Sequence, residues 1–112
     1  MDCLFCNIIA GNIPSNKVYE DDKILAFYDI APAAPTHFLV IPKTHIPAAS
    51  AITAENAEIV AYIYAKIAQI TKDMGINSYR VVTNCGTDAG QTVFHLHFHV
   101  LAGADLGAMT SL

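Results

Sequence analysis

The sequence predicts an α+β domain with a mainly antiparallel sheet of about five strands, one long helix and a short N-terminal helix. The long helix follows from apolar residues that recur at three- and four-residue steps within residues 53–74. These residues are Ile59, Ile63, Ile67, Ile70 and Met74. The strands follow from short β-branched and aromatic runs separated by Pro, Gly and Asp. The chain has 112 residues, and we expect it to form one domain over residues 1–112.

The first half of the chain predicts a helical turn and three strands. Residues 5–10 favour a short helical turn. Residues 18–22 and 23–28 resemble two strands joined by a tight acidic turn. Two prolines make residues 31–35 a rigid loop, because proline fixes φ and lacks an amide donor. The β-branched run 36–41 predicts the third strand.

The second half predicts the long helix and the last two strands. Thr53 is the expected N-cap of the helix, and Gly75 is placed as the residue just past its end. Residues 79–83 and 93–101 predict strands. The glycine-bearing loop 84–90 separates them.

Composition and charge exclude several classes of protein. The net charge of −4 argues against a non-specific nucleic-acid-binding protein, which needs a basic face. No apolar run approaches the ~18–20 residues of a membrane span, and the N-terminus lacks the basic region of a secretory signal. Three cysteines favour a reduced protein over a disulfide-linked one. We therefore expect a cytoplasmic protein with no nucleic-acid or membrane partner.

Three of the five histidines alternate in the stretch TVFHLHFHV. On a strand, His95, His97 and His99 would share one face. The opposite face would then be filled by Phe94, Leu96, Phe98 and Val100. The three histidines would span ~13 Å along such a strand, so one metal ion bound by all three is disfavoured. A strand with a merely solvated polar face is the alternative, and strict alternation beside a glycine loop disfavours it.

Four segments together resemble the histidine-triad family, in its Hint-type nucleotide-binding branch. Residues 95–101, HLHFHVL, match the triad signature, and residues 84–93 resemble the glycine loop that leads into it. Residues 34–46 resemble the central strand of the family, and residues 27–30 its ribose-binding corner. The resemblance covers about residues 3–103.

The resemblance implies a purine nucleoside phosphoramidase. Such an enzyme releases a nucleoside 5′-monophosphate, of the AMP type, through a covalent nucleotidyl-histidine intermediate. His97 matches the nucleophile, because neutral imidazole is nucleophilic near pH 7 and leaves well once protonated. His99 matches the residue that contacts the phosphate and supports proton transfer. His37 matches a residue that helps to orient the nucleophile.

The resemblance also implies the residues that bind the nucleotide. Asp29 matches the carboxylate that accepts hydrogen bonds from the ribose. The base-pocket positions are Phe5, Ile8, Phe27 and Ile30, for which plain core packing is an equal alternative. The phosphate-loop positions are Asn84, Gly90, Gln91 and Thr92. An ordinary turn is the alternative for this loop, and the adjacent histidines favour phosphate binding.

Cys3-x-x-Cys6 has the spacing of zinc ligands but supplies only half of a tetrahedral site. In the relatives that carry this pair, the resemblance implies that His45 and His95 complete a Cys2His2 structural zinc site. No catalytic metal is expected. The alternative is a pair of small apolar residues with no ion. Cys85, in the glycine loop, is interpreted as a passive thiol.

Three other functions stay open. A dinucleoside polyphosphate hydrolase is disfavoured because no Lys or Arg follows Leu101 to meet a longer polyphosphate. A zinc hydrolase would use an HxH pair and a metal-bound water, and a nucleotide-binding module would show little turnover.

The expected partners are a purine nucleotide or nucleotide conjugate and a second copy of the chain. The resemblance implies a homodimer, with the long helix and residues 79–83 as contact elements. Residues 105–112 lack the tryptophan-proline pair of well-known eukaryotic Hint proteins. That difference leaves the substrate preference open.

Overall fold

The computed structural model describes residues 3–107 and confirms the predicted α+β fold. A five-stranded antiparallel sheet has the order β1-β2-β3-β5-β4. The strands and helices are α1 (Leu4–Ile9), β1 (Lys17–Glu20), β2 (Ile24–Tyr28), β3 (Thr36–Pro42), α2 (Glu58–Asp73), β4 (Arg80–Val82) and β5 (Phe98–Ala102). Two short 3₁₀ turns are Ala49–Ala51 and Thr87–Ala89. No helix within residues 3–107 is long and apolar enough to cross a membrane.

The sheet is covered on both faces, because alternate residues of its central strands point to opposite sides. The face under α2 holds Ile24, Ala26, Phe38 and Val40, packed with Ile63, Ile67 and Ile70. The face under α1 holds Leu25, Phe27, Leu39 and Ile41, packed with Phe5 and Ile8. His37 alternates in step with Leu39, and His99 is the partner of Leu39 on β5. Both histidines therefore lie on the α1 side.

The start of the long helix differs from the prediction. α2 begins at Glu58, with Ala57 as an N-cap that makes no side-chain hydrogen bond. Thr53 lies in the preceding turn instead, where its hydroxyl accepts from the N–H of Glu55 (3.3 Å). The N-cap prediction for Thr53 is wrong because this local turn uses the hydroxyl before the helix starts. Gly75 does follow the helix end, with a φ of 74°.

The last strand is shorter than predicted, because β5 begins at Phe98 rather than at residue 93. The N–H of Leu96 donates to the carbonyl of Ile46 (2.6 Å), and the ring of His97 binds the carbonyl of His95 (2.7 Å). These bonds take the backbone before Phe98 out of the strand ladder. The prediction that Phe94 packs into the core is wrong, because its side chain is 50% exposed.

Two smaller differences concern the apolar helix face and the C-terminal stretch. Met74 is 38% exposed, whereas Ile63, Ile67 and Ile70 are buried. Of the stretch 105–112, residues 108–112 lie outside the described residues.

Candidate functional site

A cavity of about 390 Å³ opens on the α1 side of the sheet. Eight residues selected from the sequence line it: Phe5, Ile8, Phe27, Asp29, Ile30, Thr92, His97 and His99. Six others complete the lining: Leu4, Ile13, Pro14, Tyr28, Leu39 and Val93. The walls are mostly apolar, with a few polar groups among them, as in sites for small organic ligands.

For the four base-pocket residues, core packing and nucleotide binding were the two interpretations, and the structure treats three of the residues differently from the fourth. Phe5, Ile8 and Phe27 are buried in the core and also line the cavity. Their rings and side chains therefore serve packing and present an apolar wall at the same time. Ile30 is fully exposed at the cavity, so core packing does not explain it.

His97 is buried beside Phe5, with ring centroids 5.1 Å apart, and lies just before β5. Its Nδ1 is 2.7 Å from the carbonyl oxygen of His95. A carbonyl only accepts, so Nδ1 carries the proton and Nε2 of the neutral ring keeps its lone pair. Burial lowers the pKa of His97, which favours this neutral form. The ring lines the cavity, and a neutral imidazole with a free Nε2 lone pair can act as a nucleophile there.

His37 and His99 form a hydrogen-bonded pair with a defined direction. The backbone N–H of Ala33 donates to Nδ1 of His37 (3.0 Å), so the neutral ring carries its proton on Nε2. That Nε2–H donates to Nδ1 of His99 (2.9 Å). His99 must then carry its own proton on Nε2 and can offer it as a donor. Burial, and then the neighbouring His97 and His37, lower the pKa of His99 to about 4. We call His37, His97 and His99 the histidine trio.

The glycine loop reaches the cavity at Thr92 alone among its four selected residues. Gly90 has a φ of 96°, a conformation that favours glycine, and the side chain of Asn84 lies near it. Gln91 is buried, and its amide donates to the carbonyls of Pro47 (2.9 Å) and Val93 (3.0 Å). Nucleotide contacts by Asn84, Gly90 and Gln91 therefore stay predictions, and Gln91 visibly holds the loop in place.

Three separate segments of the chain bring four ligand atoms together, from Cys3, Cys6, His45 and His95. Their four ligand atoms lie within 4.8 Å of one another. We call these four residues the metal quartet. His95 is fully buried, and its Nε2 bonds the carbonyl of Pro42 (2.8 Å), which leaves the lone pair on Nδ1. The side chain is therefore set to act as a ligand through Nδ1 and not through Nε2.

The distances within the quartet fit a tetrahedral zinc ion. Around zinc, two ligand nitrogens lie ~3.3 Å apart and a nitrogen and a sulfur ~3.6 Å apart, given Zn–N of ~2.0–2.1 Å and Zn–S of ~2.3 Å. Nδ1 of His95 is 3.2 Å from Nδ1 of His45 and 3.3 Å from Sγ of Cys3. Sγ of Cys6 is 3.4 Å from Nδ1 of His45 and 3.5 Å from Nδ1 of His95. The donor set is thus suited to zinc, and all four positions come from the protein.

Sequence reasoning did not find the groups that set the ring protons. These groups are the N–H of Ala33 and the carbonyls of Pro42 and His95. Backbone groups carry no signal in a residue pattern. The additional apolar lining residues, such as Leu4 and Leu39, had a weak signal, since they lie on the predicted helical turn and strand.

Comparison with known proteins agrees with the geometry. Residues 2–110 match the family described as the scavenger mRNA decapping enzyme C-terminal binding family. The purine nucleoside phosphoramidase of Escherichia coli K12 is 40% identical over 110 residues, which cover 96% of this chain and 92% of that protein. An uncharacterised HIT-like protein of Synechocystis is 46% identical over 103 residues, which cover 91% and 90%.

Solved structures give the same result. A histidine triad protein from Clostridium difficile superposes with a TM-score of 0.93 at 49% identity, covering 96% of both chains. A HIT family hydrolase from Clostridium thermocellum superposes with a TM-score of 0.92 at 48% identity, covering 96% of this chain and 95% of that one.

Proposed function

The chain belongs to the histidine-triad family of nucleotide hydrolases, and we propose that it is a purine nucleoside phosphoramidase that forms a covalent nucleotidyl-histidine intermediate. The observation that carries this proposal is the buried ring of His97, whose Nε2 lone pair is left free in an apolar cavity. The name of the Escherichia coli relative supports the choice of a phosphorus–nitrogen bond.

The cavity provides the proposed binding site for the nucleoside. Phe5, Ile8 and Phe27 offer an apolar wall, against which the larger purine ring buries more surface than a pyrimidine. The carboxylate of Asp29 lines the same cavity and accepts hydrogen bonds from ribose hydroxyls. The α-phosphate then lies toward His97, His99 and Thr92.

The proposed reaction has two steps. First, Nε2 of His97 attacks the α-phosphorus, a phosphorus–imidazole bond forms, and the bond from phosphorus to the leaving nitrogen breaks. The leaving nitrogen keeps the bonding electron pair, takes up a proton and departs as an amine. Second, water attacks the phosphorus, the bond to His97 breaks, and a proton is released with the nucleoside monophosphate. His97 returns to its neutral form.

The surrounding backbone prepares both imidazoles for these steps. The carbonyl of His95 binds the Nδ1–H of His97, so it stabilises the positive charge that grows on the ring during attack. The chain of bonds from Ala33 through His37 turns the Nε2–H of His99 into the available donor. We propose that His99 uses this proton to bind the phosphate and to support proton transfer.

A bound zinc ion at the metal quartet would have a structural role in this proposal. The quartet joins the start of α1, the segment after β3 and the segment before β5. Four protein ligands leave no open position for a water, as in closed structural sites. Zinc would therefore supply cross-linking, and the zinc-hydrolase alternative is not favoured.

The lining of the cavity also bears on the polyphosphate alternative. Among the described residues that line it, none is Lys or Arg. A dinucleoside polyphosphate carries several negative charges beyond the α-phosphate, and these would find no cation there. The lining favours an uncharged leaving amine.

We also propose that the chain forms a homodimer through β4. Within residues 3–107, β4 pairs only with β5, so its other edge is open to a second copy. Tyr79, just before β4, and Tyr64 on α2 are exposed aromatic residues. Light scattering during size-exclusion chromatography would give twice the chain mass of 12.0 kDa. A mass of one chain at micromolar concentration would overturn this proposal.

The activity is tested with adenosine 5′-phosphoramidate, comparing wild type with His97→Ala. We expect AMP release by the wild type and its loss in the variant, with AMP affinity retained. Diadenosine polyphosphate is the comparison substrate and should be cleaved more slowly. Turnover that persists in His97→Ala would sink the mechanism. Purine nucleotide affinity without hydrolysis of any phosphoramidate would instead identify a binding module.

A further inference from the structure

The two carboxylate oxygens of Asp29 face different partners. Oδ1 accepts from the backbone N–H of Ala31 (2.8 Å), which fixes the side chain in a local turn. Oδ2 lies 3.6 Å from Nε2 of His37, and the side chains of Asp29 and His37 are 20% and 4% exposed. Oδ2 is therefore the oxygen left for a ligand, and it already lies beside a buried imidazole.

The single proton of His37 lies between two acceptors. Nδ1 of this ring accepts from Ala33, so Nε2–H is the only N–H that the neutral ring can give. Nδ1 of His99 takes it at 2.9 Å, and Oδ2 of Asp29 is the second acceptor at 3.6 Å. The geometry is held by the backbone, because the N–H of Asp29 donates to the carbonyl of His37 (3.0 Å). A change in the charge or hydrogen bonding of Oδ2 therefore changes the hydrogen bonding of His37.

We propose that Asp29 is a positioning residue for His99, acting through His37, so that recognition of the ribose and alignment of the phosphate-facing imidazole are one event. This proposal rests on the proposed function. A ribose hydroxyl that donates to Oδ2 occupies the competing acceptor, so the Nε2–H of His37 turns fully to His99. The negative charge of Asp29 remains close enough to stabilise positive charge on the His37–His99 pair during proton transfer.

The charges around His99 agree with this role. The titratable groups that act on His99 are His97, His37 and Asp29. The two histidines lower its pKa, and Asp29 opposes them. Asp29 likewise opposes the effect of burial on the pKa of His37. Removing the carboxylate charge therefore leaves the pair harder to protonate.

The test is a two-by-two comparison of enzyme and substrate. Wild type and Asp29→Asn are each assayed with adenosine 5′-phosphoramidate and with its 2′,3′-dideoxy analogue. Asparagine keeps the bond from Ala31 to Oδ1 but presents an NH2 group to His37. We expect kcat of Asp29→Asn to fall about 10- to 100-fold with both substrates, because the carboxylate charge that stabilises the protonated His37–His99 pair is lost; groups that orient a metal-bound imidazole have effects of this size. The effect on KM should appear mainly with the ribose substrate.

A role limited to ribose binding predicts a different result. In that case the dideoxy substrate gives equal kcat values for wild type and Asp29→Asn, and this outcome overturns the proposal. Asp105→Asn is the matched control, because Asp105 also accepts in a local turn, from the N–H of Gly107 (3.0 Å), but does not line the cavity. It should behave as wild type with both substrates.

A second readout needs no turnover. NMR titration of the free protein should show the proton of His99 on Nε2 in the wild type, and a lower pKa for His99 and His37 in Asp29→Asn. An unchanged titration of both rings in Asp29→Asn would also overturn the proposal. If the wild type hydrolyses no phosphoramidate, the proposed function fails, yet the titration still reports whether Asp29 acts on His99.

Discussion

The metal quartet and the histidine trio both depend on histidines, yet they expose opposite ring nitrogens. In the quartet, the Nε2–H of His95 donates a hydrogen bond to the carbonyl of Pro42, and Nδ1 faces the two thiols. In the trio, the Nδ1–H of His97 donates a hydrogen bond to the carbonyl of His95, and the lone pair on Nε2 stays free. These residues are two positions apart, so the backbone acceptor, and not the residue type, decides which ring nitrogen keeps its lone pair free.

The two groups also differ in what surrounds them. The quartet is closed by four protein ligands and includes the exposed His45. Two members of the trio, His97 and His99, line a cavity of about 390 Å³, a size typical of small-ligand sites. His95 belongs to the quartet through its ring and supports the trio through its carbonyl. His95 therefore links the two groups through different atoms, its ring and its carbonyl, and the two groups share no side chain.

The largest effect expected from this contrast is the loss of turnover in His97→Ala. Because the nucleophile is removed, kcat should fall at least ~10³-fold. The metal content should stay equal to that of wild type, since His97 is not part of the quartet. Steady-state kinetics and elemental analysis of the same preparation check both statements. Loss of metal from His97→Ala would show that the two groups are not separate.

The next largest effect is expected for the double variant Cys3→Ser, Cys6→Ser. It should lose its bound zinc and, with it, about 3 kcal/mol or more of stability, because a ligand that binds only the folded state stabilises it by mass action. Thermal unfolding with and without added zinc measures this difference. Hydrolysis by the folded variant should persist, since chemistry is assigned to the trio.

The wild type without bound zinc after chelator-free purification would contradict the zinc assignment. Complete loss of hydrolysis in a folded double variant would instead favour a catalytic metal. His45→Ala is a useful comparison, because it removes one exposed ligand and leaves both cysteines in place.

The sequence predicted the sheet and long helix because their signals are local. The spacing of Ile63, Ile67 and Ile70 reports a buried helix face directly, and these residues are buried. The predicted start of β5 was wrong. The alternation of apolar residues and histidines continues through His95 and His97, but the backbone there bonds to Ile46 and to the ring of His97 instead of to a neighbouring strand. A residue pattern does not show which partner a carbonyl finds.

The site was predictable to a similar depth. Resemblance selected His37, His97 and His99, and the structure brings them together on one side of the sheet. The direction of their hydrogen bonds depends on the N–H of Ala33, which lies in a proline-bearing loop with no recognisable pattern. Which ring nitrogen a backbone group meets, even four residues away, is fixed by the folded loop and not by the residue pattern.

A third effect concerns the free energy of unfolding of the protein in acid, to which His99 of the trio contributes. The pKa of His99 is about 4 in the folded protein, against ~6.5 in an unfolded chain. The unfolded chain therefore binds more protons between these values, and stability is complete above pH ~6.5 and is lost as pH falls toward 4. The loss should be about 1 to 2 kcal/mol once partial exposure to solvent is discounted.

Acid would also release a metal ion bound at the quartet, because the ligands would become protonated. The measurement is therefore made in the Cys3→Ser, Cys6→Ser background, by thermal unfolding at pH 7 and pH 5. His99→Asn in that background should weaken the dependence, and the remainder comes from His37, His95 and His97, whose pKa values burial also lowers. An equal acid loss with and without His99 would assign it to other groups.

The smallest effect expected lies away from both histidine groups, in the turn between β1 and β2. The carboxylate of Asp21 accepts from the hydroxyls of Tyr19 (2.8 Å) and Tyr62 (2.5 Å) and from the N–H groups of Lys23 (2.8 Å) and Ile24 (2.9 Å). Burial acts to raise the pKa of Asp21, but these bonds hold it well below its usual range. The network ties the turn to α2.

Asp21→Asn should cost about 1 to 2 kcal/mol of stability at pH 7, because bonds to a charged acceptor become bonds to a neutral amide. The difference from wild type should shrink below pH ~4, where the carboxylate of the unfolded wild-type chain takes up a proton that the folded protein does not bind. Denaturant unfolding at pH 7 and pH 3 measures both, with Tyr62→Phe as the matched removal of one donor. Metal content and kcat should equal those of wild type. A change in kcat would mean that this turn is coupled to the trio, which would contradict the independence of the Asp21 turn from the histidine groups.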